Sequence, residues 1–515
     1  MLPRLLRKAR QSPTAAACVC GAAVSALLGR GEWAHAQEDC TDCAGSARQS
    51  SGSGEAAQSN RHSTAKWRVY TDRARQLHQQ GRVEEARAFF ESAVKEAEKG
   101  FGPEDEHLAA SYQNLAELLR INGEFGGAEE LYLKAIKMLE LKSQKRASPS
   151  SGTESKFEGN NFISEPVRQK ALATTVDRLC GLYLQMRPKR LDDARNCYQK
   201  ALRLKIEAFG NDHIEVANTL ASAAQVSRLQ GRQRQSIDML GQSLDCLLRN
   251  QGNEDETGRM ILNDSLMILF RRRTLQLANL LLRQERGAGT QGAEFVLRRL
   301  IKLTLQSQEH DGKSFGEEEL LAKDHQLCNL FCQSLVASKD GQRCAEAVKL
   351  LRRSVDNIAS VSRATGSGLQ GDLLECAVRR QLADAYLCVA LDSPSEKRKK
   401  ILEEVQKLNL EKLIGTVEHW WDDLRGKQGL ESLKTKRLFV PVTQELLMHL
   451  HLAARYEREQ GLLDSKRRSE LLSQVVRIAE ALHVMPAASC HEARVLAEKV
   501  ELYLRSEEQP RTEKH

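Results

Sequence analysis

The sequence predicts an all-α chain built as a solenoid of stacked helix pairs. Three observations carry that reading. Apolar residues recur at helical spacing through most of the chain, and strictly alternating, strand-like stretches are few. Pro is scarce, at 10, and aromatic residues make up 5% of the composition. A pattern of Gly, small, aromatic and small residues returns at a spacing of 42 residues, or 66 where a 24-residue insert intervenes. At 515 residues the chain is too long for one compact core and long enough for an array.

Residues 1–36 read as a targeting presequence. Arg4, Arg7, Lys8, Arg10 and Arg30 face a single acid, Glu32, among many Ala and Ser residues. A cationic helix such as LPRLLRKAR is drawn across a negative-inside potential, so the mitochondrion is the expected address. Thr14 to Leu28 is an apolar run, and Ala34-His35-Ala36 fits a small-residue cleavage site; both features also occur in secretory signals. A plastid, the secretory route and an unprocessed cytosolic chain are the alternatives. The run is too short and too Ala-rich for a membrane span, so no integral membrane association is expected. Formal net charge is +8, much of it in this segment. The rest of the chain is near balance, which argues against a nucleic-acid partner.

Residues 37–64 are Ser/Gly-rich around SARQSSGSGEAAQSN and are expected to be disordered. Cys40 and Cys43 form a lone C-x-x-C without the second pair a zinc site needs. Cys180, Cys197, Cys246, Cys376 and Cys388 fall inside helical segments and read as packed, reduced thiols.

Two repeats are expected over 65–140. GRVEEARAFFESAV supplies Gly81, Ala86, Phe90 and Ala93, with Tyr70 and Ala74 upstream. GEFGGAEELYLKAI supplies Gly123, Ala128, Tyr132 and Ala135, with Tyr112 and Ala116 upstream, each shifted by 42. A low-complexity insert, 141–165, is expected as an exposed loop. Two more repeats are expected over 166–250. RLDDARNCYQKAL gives Ala194, Tyr198 and Ala201, and LQGRQRQSIDMLGQSL gives Gly231, Ser236, Leu240 and Ser243 after Ala224. Each unit is a helix pair, A then B. Gly81, Gly123 and Gly231 let the chain turn tightly between the two helices. Small residues let the helices approach closely, and the aromatic fills the space between neighbouring pairs. One pair cannot bury its apolar face, but a stack can.

These residues resemble the tetratricopeptide repeat family, and more narrowly the 42-residue repeats of kinesin light chain and nephrocystin-3-like proteins. The resemblance covers about Lys66 to Leu248 and only the repeats. The motor-binding coiled coil of kinesin light chain has no counterpart, since a targeting segment and a linker stand in its place. The family's fold implies a right-handed superhelix of antiparallel helix pairs. Its groove often uses an Asn on helix A to hold a partner's backbone. Asn114 in YQNLA matches that Asn, whereas the equivalent residue of the fourth copy is Ser222.

Residues 251–515 read as degenerate helical repeats and a cap. SLMILFRRRTLQLANLLLRQE reads as one long helix. GAEFVLRRLIKLTLQ and CAEAVKLLRRSVDN read as worn B helices. In DSPSEKRKKILEEV, Ser393 is expected as the helix cap, with Pro394 in the first turn and Glu396 closing a capping box. A further helix pair is expected around Gly461.

No catalytic, cofactor or metal site is expected. Gly366, Gly368 and Gly371 form a G-x-G-x-x-G without the strand that a dinucleotide fold needs. His449 and His451 are two residues apart and point to different helix faces. Arg271 to Arg273 and Lys397 to Lys400 read as exposed helix surface, without the interleaved aromatics that stack bases. Trp420-Trp421 is expected as a core anchor, with an interface hot spot as the alternative. The expected function is a non-catalytic protein-interaction scaffold in an organelle. Its A helices would line a groove for a partner segment through Arg75, Asn114, Glu117 and Asn218. An organellar RNA-associated repeat protein and a cytosolic kinesin-light-chain-like cargo adaptor are the alternatives.

Overall fold

The computed structural model describes residues 55–101, 105–147, 165–186, 188–251, 253–254, 260–284, 287–310, 316–365, 369–426, 433–483, 485 and 487–506. The presequence, Cys40, Cys43, Gly366 and Gly368 lie outside these residues. The chain divides into two compact units, Met1–Gly252 and Asn253–His515.

Among the described residues, unit 1 is four helix pairs: α1 (Glu55–Gln79) with α2 (Val83–Phe101), α3 (Glu106–Asn122) with α4 (Phe125–Ala147), α5 (Glu165–Gln185) with α6 (Leu191–Phe209), and α7 (Ile214–Leu229) with α8 (Gln233–Gln251). Each helix packs most extensively on the other member of its pair, and each B helix then meets the next A helix. The stripe on α2 shows why: Ala86, Phe90, Ala93, Val94 and Ala97 are buried at helical spacing.

The turns inside three pairs are the same object. Gly81, Gly123 and Gly231 have φ of 80°, 84° and 76°, the left-handed region that a Cβ disfavours. In each, the residue after Gly donates back to the helix: Arg82 to Leu77, Glu124 to Leu119 and Arg232 to Ser227, all at 2.9–3.0 Å. The third pair lacks the Gly and closes with Arg190 N–H donating to Tyr183 C=O at 3.2 Å. Asp105 caps α3 by accepting from His107 N–H at 2.8 Å, and His213 caps α7 by accepting from Glu215 N–H at 3.2 Å.

The small residues sit where helices touch. Ala74, Ala86, Ala116, Ala128 and Ala194 are fully buried, and Ala224 is almost so. Phe90, Tyr132 and Tyr198 are buried beside them. Tyr132 and Ala128 share one cluster with Leu172, Val176 and Leu179 of the next pair, so the aromatic spans the joint between repeats.

Two boundaries differ from the sequence reading. Helix α4 runs through Ala147, so the first residues of the expected insert are helical; the remainder of the insert lies outside the described residues. Helix α1 starts at Glu55, inside the expected linker, where Glu55, Ala56 and Ala57 are strong helix formers.

Unit 2 opens with a two-residue antiparallel pair, β1 (Asn253–Glu254) and β2 (Met260–Ile261). Eleven helices follow among the described residues: α9 (Asp264–Leu282), α10 (Gly287–His310), α11 (Glu317–Lys323), α12 (His325–Ala337), α13 (Gly341–Thr365), α14 (Leu369–Leu391), α15 (Ser395–Lys407), α16 (Leu410–Gly426), α17 (Leu433–Gln460), α18 (Ser465–His483) and α19 (Ala487–Arg505). The turn at Gly461 repeats the unit 1 device, with φ 70° and Leu462 N–H donating to Glu457 C=O at 2.8 Å. Gly371 lies within α14.

Ser393 does not cap α15. Its hydroxyl donates back to Val389 C=O at 2.7 Å, and Pro394 occupies the cap position without a side-chain bond. Trp421 is fully buried and donates to Thr443 Oγ1 at 3.0 Å, while Trp420 is half-buried against Asp372. Arg271 stays partly exposed and forks onto Asp324 at 2.9 Å, whereas Arg273, expected on the exposed surface, is buried in α9. His449 is buried against Glu445, and His451 packs edge-on to Tyr503. Burial pulls the His451 pKa down to about 4.

Candidate interaction face

The A helices α1, α3, α5 and α7 carry the face that the sequence points to. Polar side chains cross from one A helix to the next. Trp67 Nε1 donates to Ser111 Oγ at 2.7 Å, linking α1 to α3. Gln113 donates to Thr175, linking α3 to α5. Thr219 Oγ1 donates to Asp177 Oδ1 at 3.1 Å, linking α5 to α7. Ser111, Asp177 and Thr219 occupy the same place in three repeats, at the offsets that relate those repeats. That equivalence is visible in the sequence itself, in the repeat offsets that relate the three positions.

Lys205 on α6 closes this ladder from behind. Its side chain is 1% exposed, and Nζ lies 3.2 Å from Asp177 Oδ2 and 2.9 Å from Glu215 Oε2. A buried ammonium needs such partners to offset its desolvation. One cation thereby joins the A helices of the third and fourth repeats. Nothing in the local sequence marks this lysine, because its stem replaces an apolar residue on the helix stripe.

The four residues chosen for the groove fall in three environments. Arg75 is partly exposed, at 27%, and pairs loosely with Asp72. Asn218 is half-buried on α7. Asn114 is only 8% exposed, against the expectation that its amide faces a partner. Glu117 is a correction: at 4% exposure it lies inside the helix contact. Its carboxylate accepts from Arg120 Nε at 2.9 Å and from Tyr132 OH at 2.7 Å. Burial alone pushes the Glu117 carboxyl up. Hydrogen bonds and charge from Arg120, with help from Tyr132 and Arg178, outweigh that and hold its pKa at about 2. The interior A helices are flanked by a neighbour on each side, so a smaller strip faces outward than the spacing rule allowed.

Three of the cysteines read as reduced thiols, Cys180, Cys197 and Cys388, are instead bonded. Cys180 is joined to Cys197, and Cys344 to Cys388, as disulfides. Spacing along the chain, 17 and 44 residues, does not reveal which cysteines face each other across a helix pair. Cys246 and Cys376 remain buried thiols.

Among the described residues, no group of three or more His, Cys, Asp or Glu is placed to hold a metal, and no helix is long and apolar enough to cross a membrane. A surface hollow in unit 2 is lined by Glu318, Lys349 and Arg353, whose charges pair with one another.

Residues 68–140 and 175–249 match the tetratricopeptide repeat family model. A comparison with curated proteins finds no match. Among solved structures, the chain is similar to a kinesin light chain from Podosopora anserina with nearly identical TPR-like repeats, at 16% identity. That match covers 47% of this chain and 96% of the other, with a TM-score of 0.34. It is similar to BtubC (BKLC) from P. vanneervenii at 16% identity over 61% of this chain and 94% of that one, with a TM-score of 0.33. A circular tandem repeat protein with novel repeat topology is 13% identical over 87% and 96%, with a TM-score of 0.22. The family match falls on the same helices that carry the small-residue contacts and the glycine turns: residues 68–140 and 175–249 are tetratricopeptide repeats.

Proposed function

We propose that this chain is a non-catalytic protein-interaction scaffold that works in an organelle, the mitochondrion first. A partner's extended or helical segment lies along the A-helix face of unit 1. The observation that carries this reading is the ladder across that face. Gln113, Asp177 and Asn218 stay half-buried on three successive A helices, so they keep an accessible edge, and neighbours fix Gln113 and Asp177 in place. Side-chain amides donate and accept, and can pair with a partner's backbone whatever its sequence. Contacts from three repeats at once give affinity without any deep pocket. The organelle address is supported by the cationic, acid-poor start of the chain.

The test is affinity purification of the full chain from organelles, with and without nuclease, followed by binding measurements on Gln113→Ala/Asn218→Ala. A protein partner should survive nuclease. The double variant should weaken it roughly 10-fold or more, as expected for one or two desolvated hydrogen bonds. Loss of the partner with nuclease favours the RNA-associated alternative. Unchanged affinity in the double variant removes the A-helix face as the site.

A further inference from the structure

The two disulfides share a placement. Cys180 on α5 meets Cys197 on α6, and Cys344 on α13 meets Cys388 on α14, so each joins consecutive packed helices. Their Cα atoms are 5.4 and 6.2 Å apart, inside the spacing a disulfide spans without backbone movement. Among the described residues, each compact unit holds one link. Cys246, Cys328, Cys332, Cys376 and Cys490 stay as buried thiols. Burial pushes the Cys376 thiol up to about 12, so at neutral pH it supplies almost no thiolate to attack either link.

We propose that both links are structural disulfides of the working protein, formed in an oxidising compartment by exchange with a protein disulfide donor. The choice of an organelle over the cytosol rests on the reading above, since cytosolic reductants keep thiols reduced. The step is a balanced exchange. The thiolate of one cysteine attacks a donor sulfur, and the donor's other sulfur leaves as a thiolate. The second cysteine, as thiolate, attacks the mixed disulfide and the donor departs as a dithiol. The chain loses two electrons and two thiol protons, and the donor gains both. Cys180 and Cys344 are fully buried in the finished fold. The exchange therefore takes place before these helix pairs close, during folding after import.

Acid quenching of cells expressing the full chain traps the native thiol state. Remaining thiols are alkylated with a light reagent, and those released by reduction with a heavy one, before peptide mapping. Cys180, Cys197, Cys344 and Cys388 should carry the heavy label, and Cys246, Cys328, Cys332, Cys376 and Cys490 the light one. Light label on all nine overturns the inference. If the chain is found in an organelle with all nine light, the inference fails and the organelle reading stands. As a second measurement, unfolding and refolding in reductant should lower the Tm of the wild type by about 5–10 °C and leave a Cys180→Ser/Cys344→Ser variant unmoved. A wild type indifferent to reductant removes the structural role.

Discussion

Glu117→Gln separates a structural residue from a partner-binding one. The substitution keeps the shape of the side chain and removes its charge. In the structure, that charge is the acceptor for Arg120 and Tyr132 inside the α3–α4 contact. A carboxyl held at about 2 against an ordinary 4.5 corresponds to on the order of 3 kcal/mol of stabilisation at neutral pH. Removing one partner of a buried pair costs a similar amount, about 3–5 kcal/mol, since the other charge is left uncompensated. Arg120 keeps its bond to Gln185 at 2.9 Å, which favours the lower figure. The assay is peptide-level hydrogen exchange over α3 and α4, where ~3 kcal/mol appears as roughly a 100-fold loss of protection. The pH dependence has a definite sign. Because the folded-state carboxyl is depressed, its contribution is complete above the unfolded value of 4.5 and is lost as pH falls toward about 2. Unfolding curves of wild type and variant should therefore differ at pH 7 and converge at the acid end of that window. Unchanged protection at pH 7, with partner binding lost, would refute the structural assignment and return Glu117 to the groove.

Ala128→Trp should destabilise the α3–α4 pair by about 1–3 kcal/mol or more, because the site is fully buried between helices; an unchanged melting temperature would misplace that contact. A reporter fused to residues 1–37 should enter mitochondria, and a diffuse cytosolic signal would remove the organelle address.

The repeat array was legible because its physics selects residue types. Only Gly takes the left-handed turn at residues 81, 123 and 231 at little cost, and only small side chains fit at Ala74, Ala86 and Ala128. Those constraints write a period into the sequence. The interaction face was less legible. Whether Asn114 or Glu117 faces outward depends on which neighbours flank the A helix, and a one-helix spacing rule contains no neighbours. Lys205 was missed for a related reason: its position reads as apolar stripe until Asp177 and Glu215 arrive from two other helices. The Ser393 cap failed locally, because the preceding helix offered Val389 C=O as a competing acceptor. The disulfides depend on which side chains face each other across a pair, which sequence spacing leaves undetermined.

A partner lying along the A helices of unit 1 leaves a footprint on those helices. Hydrogen exchange of the full chain with and without its purified partner measures this directly. Added protection is expected in α3, α5 and α7, strongest around Gln113, Asp177 and Asn218, with α4, α6 and α8 unchanged. Protection confined to those B helices, or to unit 2, would contradict it.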